Sequence, residues 1–135
     1  MLDASFLVAQ CLSGLTAAMF LFIVASGLSL IFGVLRVLNF AHGTFYMMGA
    51  YLSWQLSQWL GVWLGGFPGS FWLAALGAAC GVALLGGLVE RLLLRHLYGK
   101  DDLYQLLFTY ALVLVLGDAA KILWGTQQLS VTRPP

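Results

Sequence analysis

The sequence predicts an all-α, polytopic transmembrane helix bundle of about four spans, and three observations lead there. Of its 135 residues, 61% are hydrophobic and only 8% are charged, against roughly 25% charged in a soluble globular domain. A water-exposed chain so poor in charge would present apolar patches large enough to aggregate. Second, no Asp, Glu, Lys or Arg lies between Ala4 and Leu35 or between Val37 and Val89. A helix needs about 20 apolar residues, at about 1.5 Å each, to cross the hydrocarbon core. The first run therefore fits one long span, and the second fits two joined by a turn. Third, no series of short alternating strands is visible, and lipid offers the backbone no hydrogen bonds, so helices remain.

The whole chain, 1–135, reads as one membrane domain with spans at about Phe6–Phe32, Phe40–Leu60, Phe71–Val89 and Leu103–Trp124. The start, Met1-Leu2-Asp3, is acidic, and the apolar run after it is about twice the 7–15 residues of a signal peptide, which predicts a retained span. The connection between the second and third spans holds Gly61, Gly65, Gly66, Pro68 and Gly69, which punctuate helices strongly. Trp54, Trp59, Trp63, Phe67 and Trp72 surround it, the amphipathic rings expected at a membrane–water boundary. The connection between the third and fourth spans instead carries Arg91, Arg95 and Lys100. Excess Lys and Arg belongs on the cytoplasmic side. Arg36 then lies inside, the Gly/Trp turn and the N-terminus outside, and Arg133 in an external tail.

Smaller features have structural readings. Gly99 is expected to end the helix before the fourth span, and Asp101 and Asp102 to cap the span's free N–H groups. Gly77 and Gly81 form a GxxxG pair that predicts close packing against another helix without naming it. Cys11 and Cys80 lie in apolar runs, form no CxxC, and read as small packing or lipid-facing residues.

The feature weighed most is the polar cluster Asn39-Phe40-Ala41-His42-Gly43, near Arg36 and between two apolar spans. Polar groups within a membrane are costly and usually face a cavity, a partner or a pathway. Gly43 and Gly33 would permit a re-entrant bend whose freed backbone groups line a polar path. The alternative is a cytoplasmic turn at the headgroup level, with Arg36 on lipid phosphate and His42 capping a helix. Physics alone leaves both open. Asp118 and Lys121 lie three apart on one helical face. Lys121 is close enough to the span end to snorkel outward, which favours a structural ion pair over a proton relay.

Several function classes are excluded. A net charge of +1 suggests no nucleic-acid partner. His42 and His96 are far apart, and no HExxH, GxSxG or P-loop occurs. No catalytic residue, metal ligand set or cofactor is therefore expected, the chain is not read as an enzyme, and any ATP coupling must come from another chain.

The run Gly27-Leu28-Ser29-Leu30-Ile31-Phe32-Gly33-Val34-Leu35-Arg36-Val37-Leu38-Asn39-Phe40-Ala41-His42-Gly43, continuing through Met47-Met48-Gly49-Ala50-Tyr51, resembles the signature of Liv-type permeases. These are membrane subunits of branched-chain amino acid ABC importers. Glu90-Arg91-Leu92-Leu93-Leu94-Arg95-His96-Leu97-Tyr98-Gly99 looks like the family's E-R-x-x-x-R-P-L-x-G segment, and Thr109, Gly117 and Trp124-Gly125 follow in similar order. The resemblance covers about Leu12 to Gly125. His96 stands where the family usually has proline, and Thr44 where an acidic residue is common.

The resemblance implies a multi-pass permease subunit in the bacterial inner membrane. Its expected partners are a second permease subunit, cytosolic ATPase subunits and an external solute-binding protein. Family permeases have about twice the length, so this chain is expected to be the N-terminal half, or alternatively a truncated remnant. The implied pathway residues are Asn39, His42, Gly43 and Thr44, with Arg36 as a structural or lipid-facing neighbour. Branched-chain or other apolar amino acids are the expected cargo, with urea, amides or aromatic acids as alternatives within the family.

Overall fold

The computed structural model describes residues 3–36, 39–65, 67, 69–127 and 129. Four helices follow in order: α1 (Ala4–Leu35), α2 (His42–Trp63), α3 (Ser70–Leu92) and α4 (Asp102–Trp124), with a 3-10 turn at Leu94–Leu97. The described residues contain no strand, so the all-α, multi-pass expectation holds. By length and apolarity α1, α3 with its following turn, and α4 are each able to cross a membrane. The fourth, α2, has 22 residues, enough for about 33 Å. It is more polar, with His42, Thr44, Ser53, Gln55, Ser57 and Gln58 along its length.

Packing explains why α2 tolerates those groups. It is the central helix, touching α1, α3 and α4, while among the described residues α1 packs against α2 alone. Ser57 donates to the Trp54 carbonyl at 2.7 Å, and Gln55 accepts from the Trp124 indole at 3.2 Å. The broadest contact is between α2 and α3, and the glycine pair makes it. A Cβ added at Gly77 would lie 3.1 Å from Leu56 Cδ1, and one at Gly81 would lie 3.4 Å from Leu52 Cδ1. The GxxxG partner that the sequence left unnamed is therefore α2, whose leucines seat in the hollows.

A small buried core closes one end of the bundle. Ala41 before α2, Val89 of α3, Leu94 of the 3-10 turn and Leu112 of α4 form it, with Phe45, Phe108, Val113 and Leu116 packed around. At the other end Trp59, Trp63, Phe67 and Trp72 are exposed, as a boundary belt requires. Gly66, Pro68 and Arg133 lie outside the described residues. Cys11 and Cys80 are free and exposed.

Three local expectations are corrected. Gly33 does not bend the chain: α1 runs unbroken to Leu35, and the turn comes at Arg36, whose φ of 53° is left-handed and whose N–H bonds the Phe32 carbonyl at 2.9 Å. Glycine usually takes that position, and an L-residue there costs about 1–2 kcal/mol. Gly43 likewise causes no break, because α2 passes through it regularly. Asp101 occupies the N-cap of α4 but its side chain makes no capping bond; only its carbonyl accepts, from Tyr104 N–H at 2.9 Å. The acidic pair then acts on the positive helix end through space. Gly99, at φ 83°, makes the expected turn.

Leucine in place of Gly77 should drive against Leu56 and loosen α3 from α2 by about 1–3 kcal/mol. Thermal unfolding in mild detergent checks this: Gly77→Leu should melt lower than the wild type, while Gly86→Leu, where a side chain meets open space, should not.

Candidate functional site

The position of the His42 side chain can be read against α1. His42 sits against Gly27 of α1: a Cβ built there would lie 2.6 Å from the imidazole Nε2. Gly27 precedes Arg36 by nine residues, so His42 lies about 13 Å along α1 from that end. On the opposite side, Arg36 shares a cleft with Asp102 and Gln105 at the start of α4. Ala41 belongs to the core of Val89, Leu94 and Leu112; Val89 and Leu94 flank Glu90 of that cleft, and Leu112 lies seven to ten residues further along α4, about 10–15 Å. The His42 imidazole therefore sits further along α1 from its C-terminal end than Arg36 does. The local geometry fits: Asn39 Oδ1 accepts from Ala41 N–H at 3.0 Å, and the Asn39 carbonyl from His42 N–H at 3.3 Å. Of the two readings left open for this cluster, we propose the re-entrant one, from the seating of His42 against Gly27. The N-cap of α2 is Ala41, with no side-chain cap, so His42 does not cap the helix.

His42 lines a cleft of about 600 Å³ between three helices. Ile23, Val24 and Gly27 of α1 form one wall, and Ala75, Ala78, Ala79 and Val82 of α3 another. From α2 come His42, Phe45, Tyr46, Gly49, Ala50 and Ser53. The surface is mostly apolar, with imidazole, phenol and hydroxyl groups spaced along α2. From 42 to 53 they span about 16 Å. Small residues make the opening: the alanines of α3 and Gly27 leave room that larger side chains would fill.

The predicted residues do not all converge. Asn39 holds the turn before the cleft and is half-buried. Gly43 is exposed, with open space where a side chain would begin. Thr44 is buried, but it falls on a different stripe of α2 with Met48, Tyr51 and Gln55. The last two meet α4: the Tyr51 and Trp124 rings stack with centroids 5.1 Å apart, and the Trp124 indole donates to Gln55. Thr44 thus lies on the α4-facing stripe and His42 on the α1-facing one. Asp118 and Lys121 form an ion pair at 3.0 Å on the exposed surface of α4, away from the cleft. Sequence reasoning did not single out Gly27, Tyr46 or Ser53. The available signal was the i, i+4 and i, i+11 relation of Tyr46 and Ser53 to His42, which keeps them on one helical face, and the need for a small residue opposite an imidazole.

Alanine at Gly27 should displace the imidazole, the movable end of a side chain, at little cost in stability. Histidine NMR of selectively labelled protein should show the His42 resonances shift in Gly27→Ala and stay in place in Gly33→Ala, with melting temperatures close to wild type in both.

The family described as branched-chain amino acid transport system / permease component matches residues 10–133. The high-affinity branched-chain amino acid transport system permease protein BraD of Pseudomonas aeruginosa is 27% identical over 123 residues, covering 90% of this chain and 40% of that protein. The corresponding permease proteins LivH of Salmonella typhimurium and Escherichia coli are 24% identical over 126 residues, with the same coverage. The chain thus spans about 40% of the length of these relatives. No solved structure matches it significantly.

Proposed function

The chain belongs to the family of permease components of branched-chain amino acid transport systems, and on that premise we propose that it forms part of the path by which branched-chain or other apolar amino acids cross a bacterial inner membrane. The observation that carries the reading is the seating of His42 against Gly27 well inside the bundle, at the foot of a mostly apolar cleft. Such lining suits an apolar side chain. His42, Tyr46 and Ser53 provide hydrogen bonds along the way for the charged ends of the amino acid, and a neutral imidazole offers one donor and one acceptor. His42 bonds the cargo and does not move protons. Asn39 fixes the turn that presents His42, while Gly43 stays exposed and Thr44 is buried on the face toward α4. The apolar walls favour this cargo over urea or small amides.

The energy comes from elsewhere. The working assembly pairs two permease subunits with two cytosolic ATPases, and an external binding protein delivers the cargo. A permease with two discrete packings moves cargo when ATP binding favours one of them, and the shift cannot exceed the difference in affinity for the two. In this chain α1 is the element fitted to shift, since it rests on α2 alone and the contact at Gly27 is between a backbone and one side chain.

The permease should be reconstituted in liposomes with its ATPase and binding protein, and uptake of labelled leucine followed. His42→Ala should lower uptake about tenfold, the equivalent of roughly 1.4 kcal/mol of lost interaction, with unchanged amounts of assembled complex. Undiminished uptake would remove His42 from the path.

A further inference from the structure

The bundle carries a second cleft, of about 620 Å³, at the end where α1 finishes and α4 begins. Arg36 and Lys100 bring positive charge to it, Glu90 and Asp102 negative charge, and Tyr98 and Gln105 hydrogen-bonding groups. Among the described residues none of these four charges is in an ion pair, although opposite signs line one cavity; the ion pair present is Asp118–Lys121, on another face. Glu90 has one partner, the Tyr98 hydroxyl, which donates to Oε1 at 3.3 Å. Partial burial first, and then the Glu90 carboxylate and that hydrogen bond, raise the Tyr98 phenol above its ordinary 10.0, so it stays a donor at neutral pH. Gln105 is buried and donates to the Leu97 carbonyl at 3.3 Å, which fixes the floor.

The surroundings specify what fits. The apolar run of α1 ends at Arg36 and that of α4 starts beside Asp102, so the cleft lies where hydrocarbon meets water. Phe32, Val34, Leu92 and Leu103, next to it in sequence on the helices that form it, are all exposed. Unpaired charges of both signs, set apart around a cavity and bordered by bare apolar helix, match a molecule with a phosphate, an ammonium and acyl chains.

We propose that this cleft binds the headgroup of a zwitterionic aminophospholipid. Its phosphate meets Arg36 and Lys100, its primary ammonium meets Glu90 and Asp102, and its chains lie along the exposed faces of α1 and α4. Phosphate alone would use half of the cleft, and an anionic lipid without an amine would face two uncompensated carboxylates. A bound lipid would also hold Arg36, and with it the end of α1, against the α3–α4 connection.

The test needs no transport, so it stands or falls apart from the pathway assignment. The protein is extracted from its membrane in mild detergent, exchanged into equal mixtures of phosphatidylethanolamine, phosphatidylcholine and phosphatidylglycerol, and the retained lipid is counted by native mass spectrometry. Phosphatidylethanolamine should be retained over both others. The quaternary amine of phosphatidylcholine has no N–H to donate, and phosphatidylglycerol has no cation. Glu90→Gln or Asp102→Asn should reduce the preference over phosphatidylglycerol about fivefold, and Arg36→Gln or Lys100→Gln should reduce retention of all three by a similar factor. Inorganic phosphate at millimolar concentration should not displace the lipid; displacement would mean a free-anion site and overturn the proposal. Equal retention of the three lipids, a preference for phosphatidylglycerol, or a preference untouched by all four variants would overturn it as well. Release of all lipids only on adding the cytosolic ATPase would identify the cleft as a protein-docking surface instead. The conservative pairs Glu90→Asp and Arg36→Lys should keep the preference if the folded cleft is intact.

Discussion

Hydrocarbon cannot hydrogen-bond a backbone, and everything else in this molecule follows from that constraint. It forces the apolar runs into helices and confines irregular backbone to places where protein covers it. The segment between α1 and α2 is the informative case. It carries the most polar run of the first half of the chain. Asn39 satisfies the Ala41 amide there, and Ala41 is fully covered by the core.

Helix α2 then organises the rest by having three different faces. The stripe of Leu52 and Leu56 meets the glycines of α3. The stripe of Tyr51 and Gln55 meets Trp124 at the end of α4. The stripe of His42, Tyr46 and Ser53 looks toward α1 across a cleft. Two faces are tightly packed and the third is open. That division separates structural polar residues from those free to contact a solute, and it puts Thr44 with the former and His42 with the latter.

Fold class was legible in the sequence because charge-free runs and their lengths depend only on the solvent. Which face of each helix meets what was not legible. In water, a polar stripe marks the outside of a helix; in lipid the outside is apolar too, so periodicity loses its contrast. Gly77 and Gly81 therefore announced a close contact while Leu52 and Leu56, its other half, looked like any lipid-facing leucines. His42 stood out through its chemistry, but Gly27, which makes room for it, was one glycine among 16. Gly33 and Gly43 would permit a bend, whereas both lie in regular helix and Arg36 takes the left-handed turn. Pairing at Asp118 and Lys121 was readable, since an i, i+3 spacing places the groups in reach whatever surrounds them.

We propose that His42 lies deeper in the bilayer than Arg36. Depth measurement by spin labels settles it, with single labels at positions 27, 36 and 42 in liposomes and relaxation by oxygen against a water-soluble nickel chelate. The account predicts that position 42 reads the same depth as position 27, about 13 Å further from the water than position 36. Equal depths at 36 and 42, with 27 alone buried, would contradict it.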